Sequence, residues 1–197
     1  MTLYKITGEN GESFHGGTGK WTAGKWRTIP AKSKIVPCVT GFHLVEAKDL
    51  VSWLGPVIWE AEYEGESVDH GDKIVVRKAR VTRKLDTWNE RTARLFAADC
   101  AEHVLSLFEK RYPDDKRPRE TIGVARRFAR GEATREELDA ARDAAWDAAR
   151  AAAWNAAWAA ARAAARDAAW NAARDAETSW QTVRLLQYLN GETGGPE

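Results

Sequence analysis

Two periodicities divide this chain. Up to about residue 86 apolar residues recur at every second position between turn signals, and beyond it they recur with helical spacing. Leu3 to Thr7 alternates and ends at Gly8, ahead of the tight-turn pair Asn10-Gly11. Ser13 to Gly19 reads as half a hairpin entering a loop, and Trp21 and Trp26 as hydrophobic plugs over a sheet. Pro37 to His43 turns into a strand. Glu46 to Leu54 places Ala47, Leu50, Val51 and Leu54 on one face of a short helix, stopped by Gly55-Pro56. From Val57 to Tyr63 the alternation sends Val57, Trp59, Ala61 and Tyr63 inward, and Ile58, Glu60, Glu62 and Glu64 outward. Gly65 to Asp72 reads as a turn-rich connection. Lys73 to Leu85 reads as a strand with Val75, Ala79, Val81 and Leu85 inward and Lys78, Arg80 and Lys84 outward. Set antiparallel, these bases oppose Glu60, Glu62 and Glu64, each pair stabilising by roughly 0.2–1 kcal/mol. That placement accounts for the charge runs without a nucleic acid.

The remainder is helical. Thr87-Trp-Asn-Glu90 has the form of a capping box and opens a helix whose apolar stripe is Trp88, Leu95, Phe96, Cys100, Val104, Leu107 and Phe108. It stops at Tyr112-Pro113. Pro118 suits a first helical turn, and Ile122, Ala125 and Phe128 face inward on a helix closed by Gly131. Thr134-Arg-Glu-Glu137 is a second capping box. Asn190-Gly191 is a helix stop, and residues 191–197 read as a disordered tail.

Between these last two signals lies an alanine-rich tract, spanning 138–178, built on the unit x-Ala-Ala-z. The z position runs Arg142, Trp146, Arg150, Trp154, Trp158, Arg162, Arg166, Trp170 and Arg174. The tract is strongly helix-forming, with neither Gly nor Pro between Glu132 and Asn190. A period of four drifts about 40° per unit on a straight helix, so the Trp/Arg line winds around the rod and no flat partner covers it all. One rod of this length would reach about 80 Å, against a radius of gyration near 16 Å for a compact chain of this size. The expectation is a break into helices that fold back, at Asn155 or Asn171.

The fold class is therefore α+β: a small antiparallel-sheet domain over 1–86 and an all-α half over 87–190 with a long Ala-rich helix or helical hairpin. The 197 residues suffice for a real core. Net charge is +1, so the overall balance points to neither nucleic acid nor membrane. No run spans a bilayer, the start is not a signal peptide, and Cys38 and Cys100 fit no metal spacing; a cytoplasmic protein with reduced thiols is the simplest reading. His15, His43, His70 and His103 are scattered, and no catalytic triad, metal set or cofactor motif is readable. The His15-Gly16-Gly17-Thr18-Gly19 loop lacks the Lys-Ser/Thr of a P-loop.

Three resemblances follow. Thr40-Gly-Phe-His-Leu44, Asp49-Leu50, Gly55-Pro56 and Ile58-Trp-Glu-Ala-Glu-Tyr-Glu-Gly65, within Leu3 to Leu85, resemble an uncharacterised domain family common in phage and actinobacterial genomes. Arg94-Leu-Phe-Ala-Ala-Asp-Cys-Ala-Glu-His-Val-Leu105, Pro113-Asp-Asp-Lys-Arg-Pro-Arg119 and Ala125-Arg-Arg-Phe-Ala-Arg-Gly131, before an Ala-rich tail, are similar to an immunity-protein family of polymorphic toxin systems. That similarity implies a protein that binds and inhibits another protein, and it transfers no catalytic residue. The order of His15-Gly16, Gly41-Phe42-His43 and Ile58 to Gly65 resembles that of ADP-ribosyltransferase-like domains, which implies a nucleotide site using His15, Gly16, Gly17, Thr18, Phe42 and His43. No catalytic Glu can be placed for it.

The preferred reading is a non-enzymatic phage or bacterial accessory protein of immunity or anti-defence type. It grips a protein target with Trp146, Arg150, Trp154, Trp158, Arg162, Arg166 and Trp170. A nucleotide-binding module and a self-assembling structural protein are the alternatives.

Overall fold

The computed structural model describes residues 2–15, 17–160 and 167–193, leaving aside the side chains of 150–160 and 167–172. The contacts divide into two compact units, one of Met1–Asn89 with Thr178–Gly195 and the other of Glu90–Glu177. The architecture is α+β, a five-stranded antiparallel sheet followed by helices.

In the first unit the strands are β1 (Leu3–Thr7), β2 (Arg27–Thr28), β3 (Phe42–Glu46), β4 (Val57–Asp69) and β5 (Ile74–Lys84). β1 pairs with β3 and β4, and β5 also pairs with β3 and β4, so the pairings close into a ring; β2 adds to β5 at Arg27 and Thr28. A closed ring leaves few free edges, which protects a small sheet from pairing with other chains. One face carries the core of Leu3, Trp21, Leu44, Ala61, Val76, Ala79 and Val81, with Phe42, Trp59 and Ile74 packed beside it. Trp21 is a plug, as expected, and is 3% exposed.

The glutamate–base ladder forms between β4 and β5: Glu64 with Lys78, Glu62 with Arg80, and Glu60 with Arg83. Arg83 stands where Lys84 was expected, because a register shift between Glu60 and Ala61 moves the partner by one residue. Lys78 and Arg80 also lie over the Trp26 ring, at 4.5 and 4.6 Å from its centroid. With glutamates and an aromatic face already engaged, these bases do not form a free strip for phosphates.

Three local expectations are corrected. Gly65 to Asp69 is strand rather than connection, because a second register shift, between Glu64 and Ser67, absorbs Gly65 (φ +78°) as a bulge. The turn is at His70–Asp72, where His70 N–H donates to Lys73 O at 2.9 Å. Ile58 is fully buried rather than outward, since both sheet faces are covered at this end: Tyr4, Ile6, Val45 and Val75 are buried on the same side. Tyr63 is 37% exposed, beyond the covered part of β4. The segment after β3 is a 3₁₀ helix over Ala47–Trp53 that buries Leu50 completely.

The helices are α1 (Glu90–Arg111), α2 (Arg117–Ala129), α3 (Arg135–Ala160) and α4 (Asp167–Leu189). The alanine tract is thus shared between α3 and α4, and Asn155 and Asn171 both lie inside helices rather than at a break. Residues 194–197 of the expected tail lie outside the described residues. The capping box at α3 is complete: Thr134 N–H donates to Glu137 Oε2 at 2.7 Å, and Glu137 N–H to Thr134 Oγ1 at 3.2 Å. Gly131 and Gly191 take positive φ, and Glu132 and Glu192 N–H reach back to Arg127 and Gln187 carbonyls. On α1 the buried residues are Thr92, Leu95, Phe96, Ala98 and Leu105, whereas Leu107 is 69% and Val104 39% exposed.

From Thr178 onward α4 belongs to the first unit. Leu185, Tyr188 and Leu189 are buried there, Thr87 Oγ1 donates to Leu189 O at 2.6 Å, and Thr182 Oγ1 lies 3.4 Å from Lys48 O. Leu186 and Asn190 share a depression with Tyr4, Ala47 and Lys48. Leu185→Ala removes a fully buried side chain and is expected to cost about 2–5 kcal/mol. Amide exchange that accelerates across β1, β3 and β4 would bear this out; unchanged protection there would contradict it. Thr134→Ala deletes the α3 cap and is expected to cost about 1 kcal/mol, read as a lower unfolding midpoint with an unchanged denaturant slope.

Candidate partner-binding surface

Within the second unit, α2 packs against both α1 and α3. Ala98, Leu105 and Ile122 form the α1–α2 core. Arginines on α2 stitch that seam from outside. Arg119 makes a bidentate pair with Glu109, both contacts at 2.7 Å, and Arg126 spans Asp99 at 2.7 Å and Glu102 at 2.6 Å. Thr121 Oγ1 lies 2.8 Å from Ala141 O, linking α2 to α3. These arginines are structural. Their charges are spent on α1.

Alanines on α1 and α2 leave a groove of about 280 Å³, which α3 borders with Leu138 and Arg142. Its lining includes Ala97, Ala98, Ala101, Ile122 and Ala125, with Arg94 and Arg142 as its cationic members. Leu138 lies in the wall and is 3% exposed. Arg94 pairs with Glu90 on its own helix and stacks on Phe128 at 4.8 Å. Arg142 is the first residue of the Trp/Arg line and its side chain is 62% exposed, with Asp139 at 4.0 Å. One helical turn on, Trp146 is 66% exposed. Trp is among the residues most enriched at binding hot spots.

Of the other residues assigned to this surface from sequence, Arg150, Trp154 and Trp158 lie on α3 and Trp170 on α4, while Arg162 and Arg166 lie outside the described residues. Arg142 lines the groove, and Trp146 follows it one helical turn along α3. The groove itself escaped sequence reading because its lining is drawn from three helices and includes alanines that periodicity reads as packing.

The nucleotide-site residues fall in the first unit and are only partly gathered. His15 Nε2 donates to Trp53 O at 2.8 Å, and its ring meets the Trp53 ring edge-on at 5.1 Å. His43 Nε2 accepts the Cys38 N–H at 3.4 Å, with Cys38 held at φ +62°. Burial lowers the His43 pKa, and the charges of Lys5 and Lys73 add to that effect. Gly17 takes a positive φ, and Gly16 lies outside the described residues. Thr18 O and the Phe42 ring are brought together by Arg27, whose Nη2 lies 3.3 Å from Thr18 O and whose Cζ lies 4.9 Å from the Phe42 centroid. Among the described residues no three His, Cys, Asp or Glu side chains gather as a metal site, and no helix is long and apolar enough to cross a membrane.

Hydrogen bonding to Arg126 holds the Glu102 carboxyl below its ordinary pKa. A carboxylate depressed in the folded state stabilises above its unfolded pKa, and that stability is lost as pH falls through the folded value. Acidification below about pH 4.5 is therefore expected to loosen the α1–α2 seam, by at most about 1 kcal/mol for a pair this exposed. Arg126→Ala should abolish this part of the acid sensitivity; an identical pH–stability slope in the variant would refute the assignment.

A family model described as Imm-5 like putative immunity protein matches residues 83–185. No curated protein and no solved structure matches the chain.

Proposed function

The matched segment covers just over half of the chain, which therefore belongs to the Imm-5 like family of immunity proteins, and from that membership we propose that it binds and neutralises a protein toxin. The match contains all of α1, α2 and α3 and most of α4, the elements that carry the groove and the Trp/Arg line. Inhibition of this kind is occupancy: the protein covers the toxin's working surface and needs no catalytic group of its own.

The contact we assign is the line from Arg142 and Trp146 through Arg150, Trp154, Trp158, Arg162 and Arg166 to Trp170. Trp146 carries the assignment, being exposed and next to Arg142 of the groove. Trp and Arg offer large contact area and planar charged donors at modest entropic cost, the chemistry of hot spots. A winding line suits a partner that wraps the helices or presents a concave surface.

The test is growth of cells expressing a toxin domain of the cognate locus. The intact chain is expected to restore growth and to co-purify with the toxin. Trp154→Ala with Trp158→Ala, and Trp146→Ala separately, are expected to lose protection by at least about tenfold while circular dichroism stays unchanged. Full protection by all variants would remove the surface assignment; absence of both protection and complex would remove the immunity reading.

A further inference from the structure

In the first unit Lys5 and Arg27 are partly buried cations, unlike the exposed lysines of its loops, and meet no acid among the described residues. Bases on β5 meet acids of β4, Arg77 with Glu66, Lys78 with Glu64, Arg80 with Glu62 and Arg83 with Glu60, and Lys73 just ahead of β5 meets Asp72. Lys5 shares the strand face of Leu3, and its ammonium stands 5.5 Å from the centroid of the buried Trp21 ring. The Arg27 guanidinium stands 4.7 Å from the same centroid and 4.9 Å from that of Phe42. Burial, with the Arg27 charge adding to it, brings the Lys5 pKa down to about 8. Taking a charge out of water without a counter-charge is costly, and a fold retains such a pair at the expense of stability.

Two N–H donors at the same place are also unsatisfied. Trp21 Nε1 and Arg27 Nη1 are both buried without a hydrogen-bond acceptor among the described residues, and Trp21 as a whole is 3% exposed. Cation–π stacking accounts for the guanidinium lying on the rings. It leaves the orphan donors and the like-charge approach of Lys5 to Arg27 unexplained. A single group that is anionic, accepts only, and offers several oxygens would answer all three.

We propose that this cluster, Lys5 Nζ, the Arg27 guanidinium and the Trp21 indole N–H, is a binding site for a phosphate-type oxyanion. Arg presents planar paired donors to such a group and Lys a point charge. The oxyanion can come as free phosphate or as the phosphate of a nucleotide. The site is independent of the toxin-binding surface.

The experiment is a titration of the ¹⁵N-labelled full chain, followed at its indole N–H signals, with Trp21 assigned by its loss in Trp21→Phe. Inorganic phosphate and ADP are the two probes. The Trp21 signal is expected to shift saturably in the unaltered protein. In Lys5→Met and in Arg27→Met the affinity is expected to fall about tenfold or more, the other indole signals reporting that each variant is folded. Tighter binding of ADP than of phosphate identifies a nucleotide site, and equal binding a free-anion site. A Trp21 signal unmoved by either probe, or titrating equally in both variants, overturns the proposal.

Discussion

The first unit depends on β5 being hydrogen-bonded along both edges. It meets β4 over almost its whole length on one side, and β3 and β2 on the other. Because β1 bridges β3 and β4, the ring closes, and every strand is fixed by two neighbours except the short β2. A ring this small forces strong curvature, which is where the two register shifts in β4 and β5 sit. Closure also decides which side chains are inward. It carries Lys5 toward the Trp21 core and leaves the glutamate–base ladder in water.

The second unit solves a different problem. Alanine gives helices that pack closely but bury little area per residue, so the α1–α2–α3 core is thin. Arginine bridges from α2 and the α3 capping box supply specificity that the apolar contacts lack. The same economy leaves a shallow groove and an exposed tryptophan. On the proposed function, such a surface is the part that need not be optimised for the fold and is free to fit a partner.

Much of this was legible in residue patterns. The ladder of Glu60, Glu62 and Glu64 against bases on β5, the Thr134–Glu137 cap and the Gly131 and Gly191 stops follow from short-range rules that no tertiary context overrode. The misreadings come from long-range packing. Ile58 sits at an outward position of an alternating strand, but the opposite sheet face is covered there, which strand periodicity cannot disclose. Gly65 reads as a turn because bulges and turns share the same residue. Lys5 carried a readable signal, a lysine on the same parity as Leu3, yet only the strand ring brings Arg27 and Trp21 to it. For the partner surface, the Trp/Arg repeat was visible at once, while the alanine groove beside Arg142 required three helices to assemble.

The central claim is that this chain acts by binding another polypeptide. Native mass spectrometry of the full chain, purified gently from cells that carry its toxin system, tests it most directly. The account predicts a second polypeptide at fixed stoichiometry, lost when Trp154 and Trp158 are replaced by alanine. A bare mass of 22.0 kDa at every concentration, or only multiples of it, would contradict it.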